Sequence, residues 1–229
     1  MISTPRRLPA RKYKSPVLDQ DQDSDQDSEQ DSEQVALGPI IDPNQPVIYL
    51  HGTIDALMAS RFIGAVSELD NNSKVSLAIV DINSEGGDLD ALNSILTTMR
   101  GANTRLATFV RAEASSAAAV ILSAGTAGLR YASPHSYVML HGMSVGCPLE
   151  TLEDVNNRIA FLKNQNDRML DFVAKNCGKT LAKLKKIFIA NGSRDLYLTP
   201  QAALEFGIID VIGIPKLSMD LELTIKAVV

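Results

Sequence analysis

A chain of 229 residues, 45% of them hydrophobic, is long enough for one sizeable domain with tails. Its formal net charge of −5 points away from nucleic acid as the main partner, and no apolar run approaches the ~18 residues of a membrane span. Two cysteines, Cys147 and Cys177, are too few for a disulfide scaffold and suit a reducing compartment; both are expected to be buried or incidental.

The charge is unevenly spread. Arg6, Arg7, Arg11, Lys12 and Lys14 make the opening basic, while eight acids fill positions 19–34. The rest of the chain holds 17 basic against 19 acidic groups. The basic opening has no apolar h-region and so does not read as a secretory signal; an organelle-targeting role stays open. From Asp19 to Gln34 an acid stands at every second position, interleaved with Gln and Ser. Without an apolar face at any period, this tract cannot offset the entropy of ordering. Residues 1–45 are therefore expected to be a solvated tail, serving as a solubilising segment or as a removable pro-segment. The folded domain is expected over 46–213, with 214–229 a C-terminal extension.

From Val47 the pattern turns globular. Val47 to Gly52 reads as a strand ended by glycine, and residues 55–69 repeat apolar side chains at helical spacing behind Asp55 as N-cap. Asn71-Asn72-Ser73 makes a turn before a buried strand from Val75 to Ile82. Asn83-Ser84-Glu85-Gly86-Gly87 interrupts it, and a helix follows to about Arg100. A strand over 105–110 then runs into Ala-rich sequence that reads as a helix from about 115 to 125. Short strands over 129–131 and 136–140 precede a long amphipathic helix from about 150 to 176 and another over 180–190. Asp195 to Thr199, a helix over 200–206 and a strand over 208–212 complete the pattern. Strands alternating with helices mean an α/β fold with a mostly parallel sheet.

In such sheets active sites gather where strands end and helices begin. The junction over 111–124 sets Ser116 at a helix N-terminus, where unpaired N–H groups favour developing negative charge. A serine there can attack a carbonyl while neighbouring amides receive the oxyanion. The plainer alternative is that Ser115 and Ser116 only cap an apolar helix. Gly86 and Gly87 offer bare backbone to a ligand, or simply make a tight turn. They lack the Lys and the spacing of a phosphate loop. His141 ends an apolar strand, and Asp195 sits in a turn. Together these residues supply a nucleophile, a base, an orienting carboxylate and an oxyanion donor, but a triad is recognised by geometry and not by chain order.

Those motifs carry a resemblance. Val47 to Asp55 resembles the first core strand of ClpP, the proteolytic subunit of the Clp protease. Ile82-Asn83-Ser84-Glu85-Gly86-Gly87 is similar to the family's Ile-Asn-Ser-Pro-Gly-Gly, and Glu113 to Ala119 to its Gln-Ala-Ala-Ser-Met-Gly-Ala. Val138 to His141 resembles Val-Met-Ile-His, Arg194 to Thr199 resembles Arg-Asp-Arg-Phe-Leu-Ser, and Ala203 to Asp210 resembles the closing Ala-x-x-Tyr-Gly-Leu-Val-Asp. The resemblance implies a spiral of ββα units, shared with the crotonases, with the 150–176 helix as a protruding handle. It implies Ser116 as nucleophile, His141 as base and Asp195 as acid, with the amides of Gly87 and Ala117 as oxyanion hole and no metal or cofactor. It further implies unfolded polypeptide substrates, a homo-oligomer of two stacked heptameric rings and an AAA+ unfoldase as partner. Neither nucleic acid nor a membrane is an implied partner. The expected compartment is the cytoplasm, with a plastid or a virus-infected cell as alternatives.

The chain also departs from the pattern. Glu85 replaces the family's Pro, Ala117-Ala118 replace Met-Gly, and Gly142-Met143 replace Gln-Pro. The acidic tail stands where the family has its axial-pore segment. Two other functions are therefore weighed against the protease: a non-catalytic subunit of a mixed ring, and a crotonase-type acyl-CoA enzyme.

Overall fold

The computed structural model describes residues 45–144, 151–192 and 194–217. The opening basic and acidic tracts, Cys147, residue 150 at the expected start of the long helix and most of the C-terminal extension lie outside them. Among the described residues there are seven strands and six helices, alternating except where β5 follows β4 and α5 follows α4. The strands are β1 (Val47–His51), β2 (Leu77–Ser84), β3 (Arg105–Ser115), β4 (Arg130–Ala132), β5 (Tyr137–Leu140), β6 (Leu196–Leu198) and β7 (Val211–Ile212). The helices are α1 (Ala56–Asn71), α2 (Leu89–Gly101), α3 (Ala117–Ser123), α4 (Leu152–Asn176), α5 (Leu181–Ala190) and α6 (Pro200–Phe206).

One sheet runs in the order β1-β2-β3-β4-β7, with β5 beside β3 and β6 beside β5. All its pairings are parallel except that of β5 with β6, which is antiparallel. The α/β class with a mostly parallel sheet is thus the observed one. Such strands are buried on both faces and read as apolar runs, as Leu77 to Val80 does.

Two elements run further than their composition indicates. Strand β2 continues through Ser84, and β3 continues through Ser115 where small residues suggest helix. The reason is tertiary. The first half of β3 pairs with β4 at Thr108, Phe109 and Val110, and its second half pairs with β5 at Glu113, Ala114 and Ser115. Those ladder bonds outweigh the helix propensity of Ala112 and Ala114.

Helix boundaries follow the capping rules. Asp55, Asp88, Thr151, Thr180 and Thr199 each accept a hydrogen bond from a first-turn amide, and Gly207 ends α6 in the left-handed conformation. In α1 the buried positions Ala59, Phe62, Ala65, Val66 and Leu69 form one stripe against the sheet. Helix α3 has no such stripe, because all seven of its residues are buried. It belongs to the main apolar core, which explains a helix made of Ala, Val, Ile and Leu up to its last residue, Ser123. At the C-terminal edge, Arg130 pairs with Asp210 and donates to the carbonyl of Asn176, 3.0 Å away. The amide of Asn176 in turn donates to Ser123 Oγ at 3.2 Å, so β4, α4, α3 and the segment before β7 are joined.

Candidate functional site

At the end of β3 the chain makes an abrupt turn into α3, and Ser116 is the turn. Its φ of 54° and ψ of −122° lie outside the regions that L-residues prefer. It is the only non-glycine residue with positive φ among the described residues. Such a conformation costs about 1–3 kcal/mol and persists only where the surroundings impose it. Here they do so from three sides. The Ser116 N–H donates to the Met139 carbonyl at 2.9 Å, and its own carbonyl accepts from Ala119 and Val120 at 3.0 and 3.2 Å. Gly86 closes the third side. A Cβ at that position would lie 2.7 Å from Ser116 Cβ and from the Ser115 carbonyl oxygen.

Unlike the other five N-caps, Ser116 makes no side-chain capping bond. Among the described residues its hydroxyl has no hydrogen-bond partner, and capping is not what this side chain does. Neighbouring Ser115 is spent otherwise, donating to Glu113 Oε1 at 2.7 Å. Helix α3 begins at Ala117, whose amide has no intrahelical partner. Among the described residues, neither that amide nor the amide of Gly87 donates a backbone hydrogen bond.

The glycine pair is built into the sheet's edge. Gly87 bridges Ile54 in parallel fashion, with Ile54 N–H to the Gly86 carbonyl at 2.8 Å and Asp88 N–H to the Ile54 carbonyl at 2.7 Å. A Cβ on Gly87 would fall 2.2 Å from the Ile54 carbonyl oxygen. Gly86 N–H is held by buried Ser84 Oγ at 3.0 Å, a role that its place in a strand-end motif does not announce. Beside the pair, Thr53 Oγ1 donates to Glu85 at 2.7 Å and holds that exposed carboxyl below its ordinary pKa.

Ser116 and His141 line one cavity of about 360 Å³ together with Gly87 and Asp88. The walls are apolar: Leu89 and Leu92 of α2, Ala117 and Val120 of α3, and Leu162, Met169, Leu170 and Val173 of α4. A largely apolar concavity with a few polar groups at one end is the usual form of a substrate site. The contribution of α4 is not evident in isolated motifs, although the spacing of those four side chains places them on one helix face.

Asp195 does not line this cavity, and its side chain is exposed. Its backbone is fixed by Asn191, whose amide donates to the Asp195 carbonyl at 3.1 Å. Strands β5 and β6 pair with Leu140 opposite Leu196. His141 directly follows Leu140, and Asp195 directly precedes Leu196, so the two residues flank the last pair of that antiparallel ladder. Among the described residues no hydrogen bond joins Ser116 to His141, or His141 to Asp195. Nor does any group of three or more His, Cys, Asp or Glu that could hold a metal occur among them. Cys177 is a free, buried thiol away from this site, its pKa pushed up to about 11 by burial.

Comparison with known proteins agrees with this architecture. Over 188 residues the chain is 28% identical to the ATP-dependent Clp protease proteolytic subunit 1 of Rhodopirellula baltica, covering 81% of this chain and 80% of that protein. The family model for Clp protease matches residues 43–216, a span that includes the glycine pair, the Ser116 turn, His141 and Asp195. Most of its length being so matched, the chain belongs to the Clp protease family, as a divergent ClpP-like member.

Proposed function

We propose that the chain is a serine endopeptidase with Ser116 as nucleophile, His141 as general base and Asp195 as the carboxylate that orients the imidazole. The observation that carries this reading is the strained backbone at Ser116, a residue that lines the cavity and whose hydroxyl makes no hydrogen bond among the described residues. His141 takes the Ser116 proton as Oγ adds to the scissile carbonyl, and returns it to the leaving amine. The amides of Gly87 and Ala117 receive the oxyanion. Water then attacks the acyl-enzyme, again with proton transfer through His141, and releases the carboxylate product. The apolar walls favour an apolar substrate side chain next to the scissile bond.

The substrates are unfolded polypeptides, bound as extended strands in the manner of strand addition. The working form is a homo-oligomer, two stacked heptameric rings enclosing the sites. The name of the Rhodopirellula protein includes ATP dependence, which supports an AAA+ unfoldase as partner here. The protease domain spans 46–213, flanked by the tail and the extension, and acts in the cytoplasm.

The test is intact mass after incubation with a fluorophosphonate, on wild type and Ser116→Ala. One adduct on wild type and none on the variant is expected, together with a fall of at least about 10³-fold in peptide hydrolysis. An unlabelled, inactive wild type would instead support a scaffold subunit.

A further inference from the structure

Helix α4 presents Leu162, Met169, Leu170 and Val173 to the cavity. With about 3.6 residues per turn, position 166 falls on the same face, one turn after Leu162 and one turn before Met169 and Leu170. It holds Asn166, a half-buried polar residue in an otherwise apolar stripe. An amide in such a place costs free energy unless it is hydrogen-bonded. Asn166 Oδ1 accepts from the backbone N–H of Met143 at 2.9 Å. Gly142 lets the chain come this close, since a Cβ there would stand 3.3 Å from the same oxygen.

Met143 lies two residues beyond His141. On the other side of His141, Leu140 is held in the ladder between β5 and β6. The segment carrying the imidazole is therefore fastened at both ends, to the sheet before it and to α4 after it. Among the described residues the Met143 amide has no other acceptor.

We propose that Asn166 is a positioning residue: by fastening the chain after His141 to α4, it sets where the imidazole stands relative to Ser116. This rests on the peptidase reading above, in which His141 serves as the base. Misplacing a catalytic group by about 1 Å costs about 100-fold in rate.

The test uses the full-length protein and the variants N166A, N166L and N166D. Substitution by Ala or Leu removes the acceptor, and kcat for peptide hydrolysis is expected to fall about 10- to 100-fold with KM within about twofold. Asp keeps an Oδ acceptor, and N166D is expected to recover to within about fivefold of wild type. Amide hydrogen exchange at Met143 should be slow in wild type and N166D and fast in the other two. Rates for N166A and N166L within about twofold of wild type would overturn the proposal. So would equal losses in all three variants, or Met143 exchange indifferent to residue 166. Should wild type neither cleave peptide nor take fluorophosphonate while Met143 exchange still tracks residue 166, the peptidase reading falls and the positioning role falls with it.

Discussion

Gly86 and Ser116 form a matched pair, one lacking a side chain so that the other can hold a strained backbone. Gly86 itself sits at φ +101°, and a Cβ would meet the Ser115 carbonyl oxygen and Ser116 Cβ, both at 2.7 Å, and the Ala117 nitrogen at 2.9 Å. None of these is the far end of a flexible side chain, so the turn itself has to move. Gly86→Ala is expected to destabilise the fold by about 1–3 kcal/mol and to lower peptide hydrolysis by about 100-fold or more. Gly128 is the control, with φ +84° but open space around its Cβ position. Gly128→Ala carries the backbone penalty alone and should leave hydrolysis near wild type. Thermal unfolding and peptide kinetics on both variants separate strain from displacement. Equal activity in the two would mean that close approach to Ser116 is immaterial.

Helix α2 begins directly after the glycine pair, so its first turn borders the cavity. Asp88 caps it, with one carboxylate oxygen accepting from the Asp90 and Ala91 amides at 2.8 and 2.9 Å. Losing that cap leaves two first-turn donors without their acceptor beside the loop that carries Gly87. Asp88→Ala should lower stability by about 1 kcal/mol, and Asp88→Asn by much less, because Asn caps as well as Asp. Chemical denaturation midpoints at constant slope measure this directly. An Asn variant as weak as the Ala variant would mean that the charge, and not the cap, matters. The same element logic explains the long β3. Its two halves serve different neighbours, and only the second, through β5, brings Ser116 to the cavity that His141 also lines.

Across the whole molecule, two carboxylates tie distant segments of the sheet together. Asp81 on β2 is buried and bonded by His51 at 3.2 Å and by Arg111. Asp210, before β7, pairs with Arg130 on β4. Burial pushes both carboxyls up, but hydrogen bonds and charge from His51 and Arg111, and from Arg130, outweigh it and leave both pKa values lowered. A carboxyl lowered in the folded state contributes stability that is fully present above its unfolded value, near about 4, and is lost as pH falls through the folded value. Wild type should therefore lose stability on acidification below about pH 4. Asp210→Asn leaves Arg130 unpaired at a side-chain exposure of 9%. It should cost about 3 kcal/mol at neutral pH, a gap that narrows below about pH 4. Thermal unfolding across pH 3–7 gives both results, and a gap independent of pH would show that the charge of Asp210 is not what stabilises.

Much of this was legible in the chain itself. Apolar periodicity and capping residues specify the described helices other than α3 and nearly every described strand, because local backbone preference and the demand to bury one face act over a few residues. Strand–turn–helix punctuation also marks Ser116 and the glycine pair as a junction of interest. Other features depend on residues far apart in the chain. That β3 continues through Ser115 follows from a partner strand more than twenty residues later. The backbone strain at Ser116 exists only because Gly86 and Met139 press on it from other segments. The placing of Asp195 depends on the antiparallel register of β5 with β6, and the inner wall of the cavity on the packing of α4. Sequence encodes such contacts only through the fold, since packing and register are collective properties of segments that meet after the chain has closed on itself.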